Sequence, residues 1–294
     1  MNLAEPDEER FYRRLRAEGP AEAQARLSPD DWANLVVHED ADPIVTAIFA
    51  LIEPAVLRRN GQSLEALGYQ PVYQLDLVRH PYPMSQTLYY AAGVLGMEAP
   101  PTFQNPTDPG GVSFLHAYVP SIVLGSAALA PDLPPQPSAF IAGRHLAYYR
   151  PGLYARQLVS TGTALRAWLF AAIKLVVPNF PVAGELAGPV SENLGLLESL
   201  AVGQIRDQLT SLVTKLLQAG AIDLKKWVAA VDLTADRVGF LLSHDLELAL
   251  EIVRASEDGA IPVPAKERQK ELVLYAVSEE YFTIRRRLGI SIDS

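Results

Sequence analysis

The sequence predicts a mostly α-helical protein with a small antiparallel β-sheet, which is an α+β fold. Apolar residues recur at helical spacing along most of the chain, and capping residues mark where helices begin. The exception is one block where short β-like runs alternate with Pro and Gly. The 294 residues are 49% hydrophobic and 20% charged, so the chain can bury a sizeable core.

Helix-start signals dominate the first sixty residues. Pro6 is followed by acidic residues, which are stabilising at the positive end of a helix dipole. Ser28 is placed to cap a second helix, with Pro29 at its first position. A third helix is predicted from Asp42 or the next residue to about Arg59, where apolar residues follow a helical period.

The predicted sheet comes from three β-like runs at 102–104, 112–119 and 121–124. The Gly110-Gly111 pair predicts a hairpin turn between the first two runs. Because a tight turn joins antiparallel neighbours, we expect an antiparallel sheet.

The rest of the chain is helical in pattern. Its most apolar stretch, 164–177, contains Arg166 and Lys174 and is shorter than the ~20 residues that a membrane span needs. We interpret it as a buried amphipathic helix, with 160–163 as its N-cap rather than a phosphate-binding loop. The predicted helices cover about 85–95, 138–150, 154–177, 191–219, 222–232, 234–254 and 264–287.

Composition narrows the classes of function. The net charge of −9 argues against a broad nucleic-acid or anionic-membrane surface, because phosphate binding needs clustered Lys and Arg. The absence of cysteine excludes disulfides, thiolate metal sites and a cysteine nucleophile. No export signal is visible in the charged first thirty residues, so we expect a cytoplasmic protein.

One segment carries a specific resemblance. Residues 139–152 read AFIAGRHLAYYRPG. This run resembles the active-site helix of HtpX-like and CAAX-prenyl-protease-like gluzincin metallopeptidases, in which F-x-x-G is followed by H-E-x-x-H. Phe140 and Gly143 match the lead-in. The resemblance therefore implies a zincin-like scaffold.

The chemistry of that helix is missing here. Arg144 stands where the first zinc histidine belongs, His145 replaces the catalytic glutamate, and Tyr148 replaces the second histidine. The two ligand positions matter because residues i and i+4 share one helix face and can bind one metal. A guanidinium stays protonated and repels a cation.

A second segment extends the resemblance. Residues 231–239 read VDLTADRVG, similar to the later gluzincin helix E-x-x-A-D-x-x-G that supplies the third zinc ligand. Asp232 takes the ligand position, while Ala235, Asp236 and Gly239 match the remainder. We therefore divide the chain into an N-terminal helical segment packed on the core (1–62), a degenerate gluzincin-like domain (63–255) and a C-terminal helix and tail (256–294).

The resemblance implies a catalytically inactive metallopeptidase-like protein. We expect no metal, no other cofactor and no catalytic residue, because a gluzincin needs two imidazoles and a carboxylate on zinc plus a glutamate base. The degenerate positions would then form a binding cleft. In place of the metal we predict a direct contact from Arg144 to Asp232 or Asp236, with His145 or Tyr148 hydrogen-bonded nearby.

Gluzincin-like folds present an edge strand beside the active-site helix, where substrates lie as an added strand. This implies a peptide or protein partner and a scaffold or assembly role. The C-terminal residues 290–294 alternate in polarity and could block the edge instead. We expect the edge to include Leu115, His116, Tyr118, Ser121 and Val123.

Two alternatives come from other classes. The first is a metal-free enzyme that uses Arg144, His145, Tyr148 and Asp232, which a roomy polar pocket would favour. The second is a purely structural helical module that could form a homo-oligomer. An extensive exposed apolar face would favour this alternative. The segments also resemble C-terminal parts of long bacterial proteins that contain helical repeats, which favours the scaffold role.

Overall fold

The structure is a computed structural model that describes residues 22–220, 223–256 and 262–290. The predicted fold class is confirmed, since most of these residues are helical and one small sheet lies among the helices. The helix predicted at Pro6 and residues 291–294 of the proposed blocking strand lie outside the described residues. Before the sheet, the chain forms α1 (Pro29–Asp31), which continues as a π-turn (Trp32–Val36), α2 (Pro43–Asn60) and α3 (Pro83–Val94).

The sheet and the later helices follow in chain order. The strands are β1 (Thr102–Asn105), β2 (Val112–Leu115) and β3 (Ser121–Gly125). The helices after the sheet are α4 (Pro135–Ala147), α5 (Ala155–Leu158), α6 (Gly162–Val176), α7 (Gly184–Leu200), α8 (Gln204–Ala219), α9 (Leu224–Ser243), α10 (Leu246–Ala255), α11 (Ala265–Ala276) and α12 (Glu279–Leu288).

The caps predicted at Ser28 and within 160–163 are confirmed, and a further cap is found at Asp42. Ser28 forms a capping box, in which its hydroxyl accepts from the Asp31 amide and the Asp31 carboxylate accepts from the Ser28 amide. The Asp42 carboxylate accepts from two amides in the first turn of α2. Thr161 caps α6 through a 3.1 Å bond from the Ala164 amide. These side chains satisfy amides that have no intrahelical partner.

Several helix boundaries differ from the prediction, and the helices predicted over 191–219 and 264–287 are each divided in two. The helix predicted over 154–177 is interrupted before Gly162, and α9 continues through residue 233, where a break was expected. The break falls instead at His244, which adopts a left-handed φ of 56° and ends α9. No Gly or Pro marks this end, so the helical period alone could not locate it.

The sheet is mixed rather than antiparallel. β3 lies in the centre, where it pairs in parallel with β1 and antiparallel with β2. The predicted Gly110-Gly111 hairpin turn is wrong because β1 and β2 are not neighbours. This glycine segment instead passes over the end of β3, where Gly111 O accepts from the Gly125 amide at 2.9 Å. A Cβ on Gly125 would lie 2.3 Å from Gly110 O, so the approach requires glycine there.

Helices α4 and α9 pack closely across glycines. A Cβ on Gly143 would lie 2.7 Å from the Leu242 side chain, and one on Gly239 would lie 2.9 Å from the Phe140 ring. Both distances are shorter than a carbon–carbon contact allows. The two glycines therefore set the separation of the helices that carry the candidate site.

One large hydrophobic core takes side chains from all three predicted segments. It includes Phe49 of α2, Trp168 of α6, Leu241 of α9 and Ile284 of α12. A smaller cluster on the other face of the sheet contains Leu115 and Phe103. Within the described ranges, no helix is both long enough and apolar enough to cross a membrane.

Candidate functional site

Arg144 of α4 faces Asp236 of α9. Its Nε donates a hydrogen bond to Asp236 Oδ1 at 2.8 Å. The predicted contact between Arg144 and one of the two aspartates is therefore confirmed, with Asp236 as the partner. The carboxylate lies at the centre of the helix pair, with its side chain only 1% exposed.

A second arginine completes the surroundings of Asp236. Arg268 of α11 donates from Nε to Asp236 Oδ2 at 2.7 Å and from Nη2 to Oδ1 at 2.8 Å. Arg268 is itself buried. This bidentate pair offsets the cost of removing both charges from water, because a planar fork matches a carboxylate.

Asp232 lies one turn earlier on α9 and has different partners. The Tyr148 hydroxyl donates to Asp232 Oδ1 at 2.8 Å, and Arg156 Nη2 donates to Oδ2 at 3.0 Å. The predicted hydrogen bond of Tyr148 beside the arginine pair is thus confirmed. Burial raises the pKa of the Asp232 carboxyl, and the charge of Arg156 opposes that rise.

His145 faces the sheet rather than the aspartates. Its ring stacks on Phe114 of β2 with centroids 3.9 Å apart, and Tyr149 Oη lies 3.4 Å from Nε2. Burial lowers the pKa of His145 to about 3, and the nearby Arg144 charge adds to this effect. At neutral pH, His145 is therefore a neutral aromatic packing residue.

These side chains do not fit a zinc ion. Arg144 carries a positive charge at the first ligand position. The Tyr148 hydroxyl donates a hydrogen bond to Asp232, and burial raises the Tyr148 pKa, which disfavours the phenolate that a metal would need. Both aspartates are already bound by arginines. No group of three or more His, Asp or Glu side chains that could hold a metal occurs among the residues described.

The predicted edge strand is partly wrong. Ser121 and Val123 lie on β3, the central strand, which is paired on both sides. The backbones of His116 and Tyr118 are bonded to Gln62, whose carbonyl accepts from the Tyr118 amide at 2.9 Å. Of the predicted residues, Leu115 alone lies on an outer strand, and its side chain is buried. The reason is topological, since β3 inserts between the two strands that precede it.

The outer edge of the sheet beside α4 is β2. In an antiparallel pair, residues that bond to the neighbouring strand alternate with residues that do not. The hydrogen bond from the Gly125 amide to Gly111 O shows which residues of β2 bond to β3. Ser113 therefore directs its backbone groups toward β3, whereas Val112 and Phe114 direct theirs away from it. In the described part of the chain, no strand pairs with this outer edge.

Three participants in the site were missed by the sequence prediction. Arg156 and Arg268 bind the two aspartates, and Phe114 joins β2 to His145. The lone arginines carry no motif that identifies them. Two acids one turn apart facing a single arginine leave one carboxylate without a cation when both are buried, and this signal could have suggested a further arginine.

One cavity borders the site through Arg156, which binds Asp232. This cavity of about 640 Å³ is lined by Arg156, Arg166 and Lys225 near the beginning of α6. Arg144, His145, Tyr148 and Asp232 line neither this cavity nor the four others described. These four residues lie at an ion-paired helix interface beside a sheet edge.

Comparisons with protein-family models, with curated proteins and with solved structures found no match. The resemblance to gluzincins therefore stays a prediction from the sequence pattern.

Proposed function

We propose that this protein is a catalytically inactive metallopeptidase-like scaffold that binds an extended peptide segment of a partner along the outer edge of β2. The observation that carries the proposal is the position of β2. It is an outer strand that lies against α4, the helix whose zinc-motif positions hold arginine, histidine and tyrosine. An edge strand exposes unpaired amide and carbonyl groups that an added strand satisfies.

The buried ion pairs of Asp232 and Asp236 with Arg144, Arg156 and Arg268, called the ion cluster below, support binding rather than catalysis. The cluster's carboxylates are held by arginines, and the pKa of His145, lowered to about 3 by burial, makes that ring a poor base at neutral pH. Asp232, Asp236 and His145 thus make structural contacts that leave them poorly suited to metal-free catalysis. What the helix–sheet junction offers a partner is the backbone of β2.

Proline substitution tests the proposal at a single backbone group. A random dodecapeptide display library is selected on the full chain, and binders are measured by fluorescence anisotropy. Val112→Pro removes an amide that points away from β3, so it should weaken the selected peptides without breaking the ladder. Val119→Pro is the matched control, because Val119 is exposed in the loop after β2.

N-methyl scanning of the peptide gives a readout that does not depend on the variant's folding. Methylation at alternate residues should abolish binding, because only every second peptide amide faces β2. The proposal is wrong if the library yields no binder, or if binders tolerate both Val112→Pro and methylation at every position.

The second candidate function is a structural module that pairs with a second copy of itself. Leu274, Val277 and Phe282 form an exposed apolar face on α11 and α12. Glu279 opens α12 and Arg286 lies near its end, so a two-fold antiparallel pairing would oppose unlike charges.

Sedimentation measures this association directly. Val277→Glu should abolish self-association if the face is an interface, because Val277 is 70% exposed in the monomer. Val72→Glu is the control, since Val72 is similarly exposed on another part of the surface. A chain that is monomeric at high concentration excludes this candidate.

A further inference from the structure

Arg144 is only partly used by the ion cluster. Its Nε binds Asp236, but neither Nη group has a hydrogen-bond partner within the described part of the chain. The side chain is 25% exposed, in contrast to Asp236 at 1%. Arg144 is thus a guanidinium held at one nitrogen, with the remaining donors available to solvent.

Arg144 lies on a partly exposed strip of α4. One side of the helix packs on α9 through Phe140 and Gly143, and another faces the sheet through His145. Arg144 and Ile141 lie on the strip between these two sides, three residues apart, and Ile141 is 39% exposed. The strip therefore offers a partner one cation and one apolar surface.

Tyr148 links this cation to the edge strand. The Arg144 guanidinium carbon lies 5.9 Å from the Tyr148 ring centroid. The same ring makes an edge contact with Phe114 at 5.6 Å. The Tyr148 ring thus lies between the Arg144 guanidinium and the Phe114 side chain of β2.

The local charge favours an anion. Arg144, Arg156 and Arg268 supply three positive charges against the two of Asp232 and Asp236, which leaves one net positive charge. The whole chain has a net charge of −9. A locally positive site on an acidic protein selects its ligand by local rather than overall charge.

We infer that Arg144 is a specificity-determining residue that binds a carboxylate of the partner through its two Nη groups. This inference rests on the proposed function, since it names the chemistry of the segment that adds to β2. The ligand is an extended peptide with a carboxylate beside an apolar residue that packs on Ile141. The planar fork matches a carboxylate in geometry, and Nε binding to Asp236 orients the fork before the ligand arrives.

The carboxylate can belong to an Asp or Glu side chain or to the end of the partner chain. Peptides from the library are therefore synthesised in four forms, with the acidic residue or its amide and with a free or amidated C-terminus. Replacing the required carboxylate should weaken binding roughly tenfold to a hundredfold, the range of a charged hydrogen bond. The form that loses affinity identifies the source.

Variants of the protein complete the test. Arg144→Gln should remove the difference between acidic and amide peptides, and Arg144→Lys should restore only part of it, because a lysine lacks the fork. Val112→Pro is measured in parallel. If peptides depend on Val112 but are indifferent to their own carboxylates and to Arg144, the inference is overturned while the proposed function stands.

If binding is insensitive to Val112→Pro and to N-methylation, the proposed function itself fails. Should Arg144→Gln not fold, the comparison of acidic with amide peptides on the natural chain still decides the inference. Equal affinity of all four peptide forms would overturn it.

Discussion

Arg144 and Asp236 lie 92 residues apart in the chain and are joined by a single 2.8 Å hydrogen bond. The bond spans the contact between α4 and α9 at the level where Gly143 and Gly239 bring the two helices together. Asp236 is shared with Arg268, which binds it with two nitrogens. The two arginines are therefore unequal, and this inequality can be measured.

Loss of Arg268 should destabilise the protein more than loss of Arg144. Arg268→Met leaves a buried carboxylate with one partly exposed cation, and we expect a loss of about 3 to 5 kcal/mol in the free energy of unfolding. Arg144→Ala leaves the bidentate pair intact and should cost about 1 kcal/mol. Urea denaturation of both variants measures the difference. Equal losses would contradict the assignment of Asp236 chiefly to Arg268.

The glycine contact predicts opposite effects of two alanine substitutions. Gly239→Ala should lower the free energy of unfolding by about 1 to 3 kcal/mol, because its Cβ would lie 2.9 Å from the Phe140 carbonyl oxygen and ring. Gly195→Ala in α7 meets no neighbour within 4 Å and should stabilise by about 0.5 to 1 kcal/mol. Thermal denaturation compares them. A neutral Gly239→Ala would mean that α4 and α9 can separate freely.

Glu53 should make the protein less stable as the pH rises. Burial raises the pKa of its carboxyl from 4.5 to about 7, although the Gly152 amide donates to it at 3.0 Å. A raised pKa in the folded state stabilises below 4.5, and this contribution is lost as the pH rises through about 7. Glu53→Gln should remove up to about 3 kcal/mol of that dependence. The free energy of unfolding of both proteins is measured at pH 4.5 and pH 8. The same change between the two pH values in the natural chain and in Glu53→Gln would refute the prediction.

His145 should act in the opposite sense. Its pKa falls from 6.5 to about 3 because the ring is buried, so the unfolded chain takes up a proton that the folded chain does not. The folded protein should therefore lose stability as the pH falls from about 6.5 toward 3. His145→Phe keeps an aromatic ring against Phe114 and should reduce this acid sensitivity. Carbon-13 NMR of the ring provides a direct check, since a titration near pH 6 would disprove burial of the neutral form.

Removal of divalent metal should leave the protein unchanged. The positions that would bind zinc are occupied by Arg144 and Tyr148, and Asp232 is held by Arg156. Purified protein should contain no stoichiometric zinc, and chelator should leave the Tm unaltered. Elemental analysis with calorimetry settles the matter. A drop of several degrees on chelation would reveal a structural metal and contradict the proposed inactive site.

Local signals predicted much of the fold. The caps at Ser28 and Thr161 lie where the sequence placed them, because a capping side chain bonds within its own first turn. Strand order depends on contacts between segments, which no local signal specifies. One clue was present, since β3 is apolar at nearly every position and is buried throughout, as a central strand is. The prediction of an edge strand at Ser121 and Val123 did not take this burial pattern into account.

The candidate site was also predicted only in part. The contact of Arg144 with an aspartate of α9 followed from the placement of the two segments against each other. Arg268 could not be found in this way, because it lies 32 residues beyond Asp236 on a helix that the resemblance does not cover. Burial of a charge sets a need for a partner, yet it does not say which of many arginines will supply it.

The ion cluster also bears on how the chain folds. Its bonds join residues separated by 92, 84, 76 and 32 positions, so a large part of the chain must be ordered before the charges meet. Closing such long loops before the rest of the chain is ordered costs conformational entropy. Removing the charges from water is also unfavourable until every partner is in place. Folding should therefore begin with the local helices and apolar contacts, and the cluster should form after the rate-limiting step. Substitutions in it would then accelerate unfolding while leaving the refolding rate nearly constant.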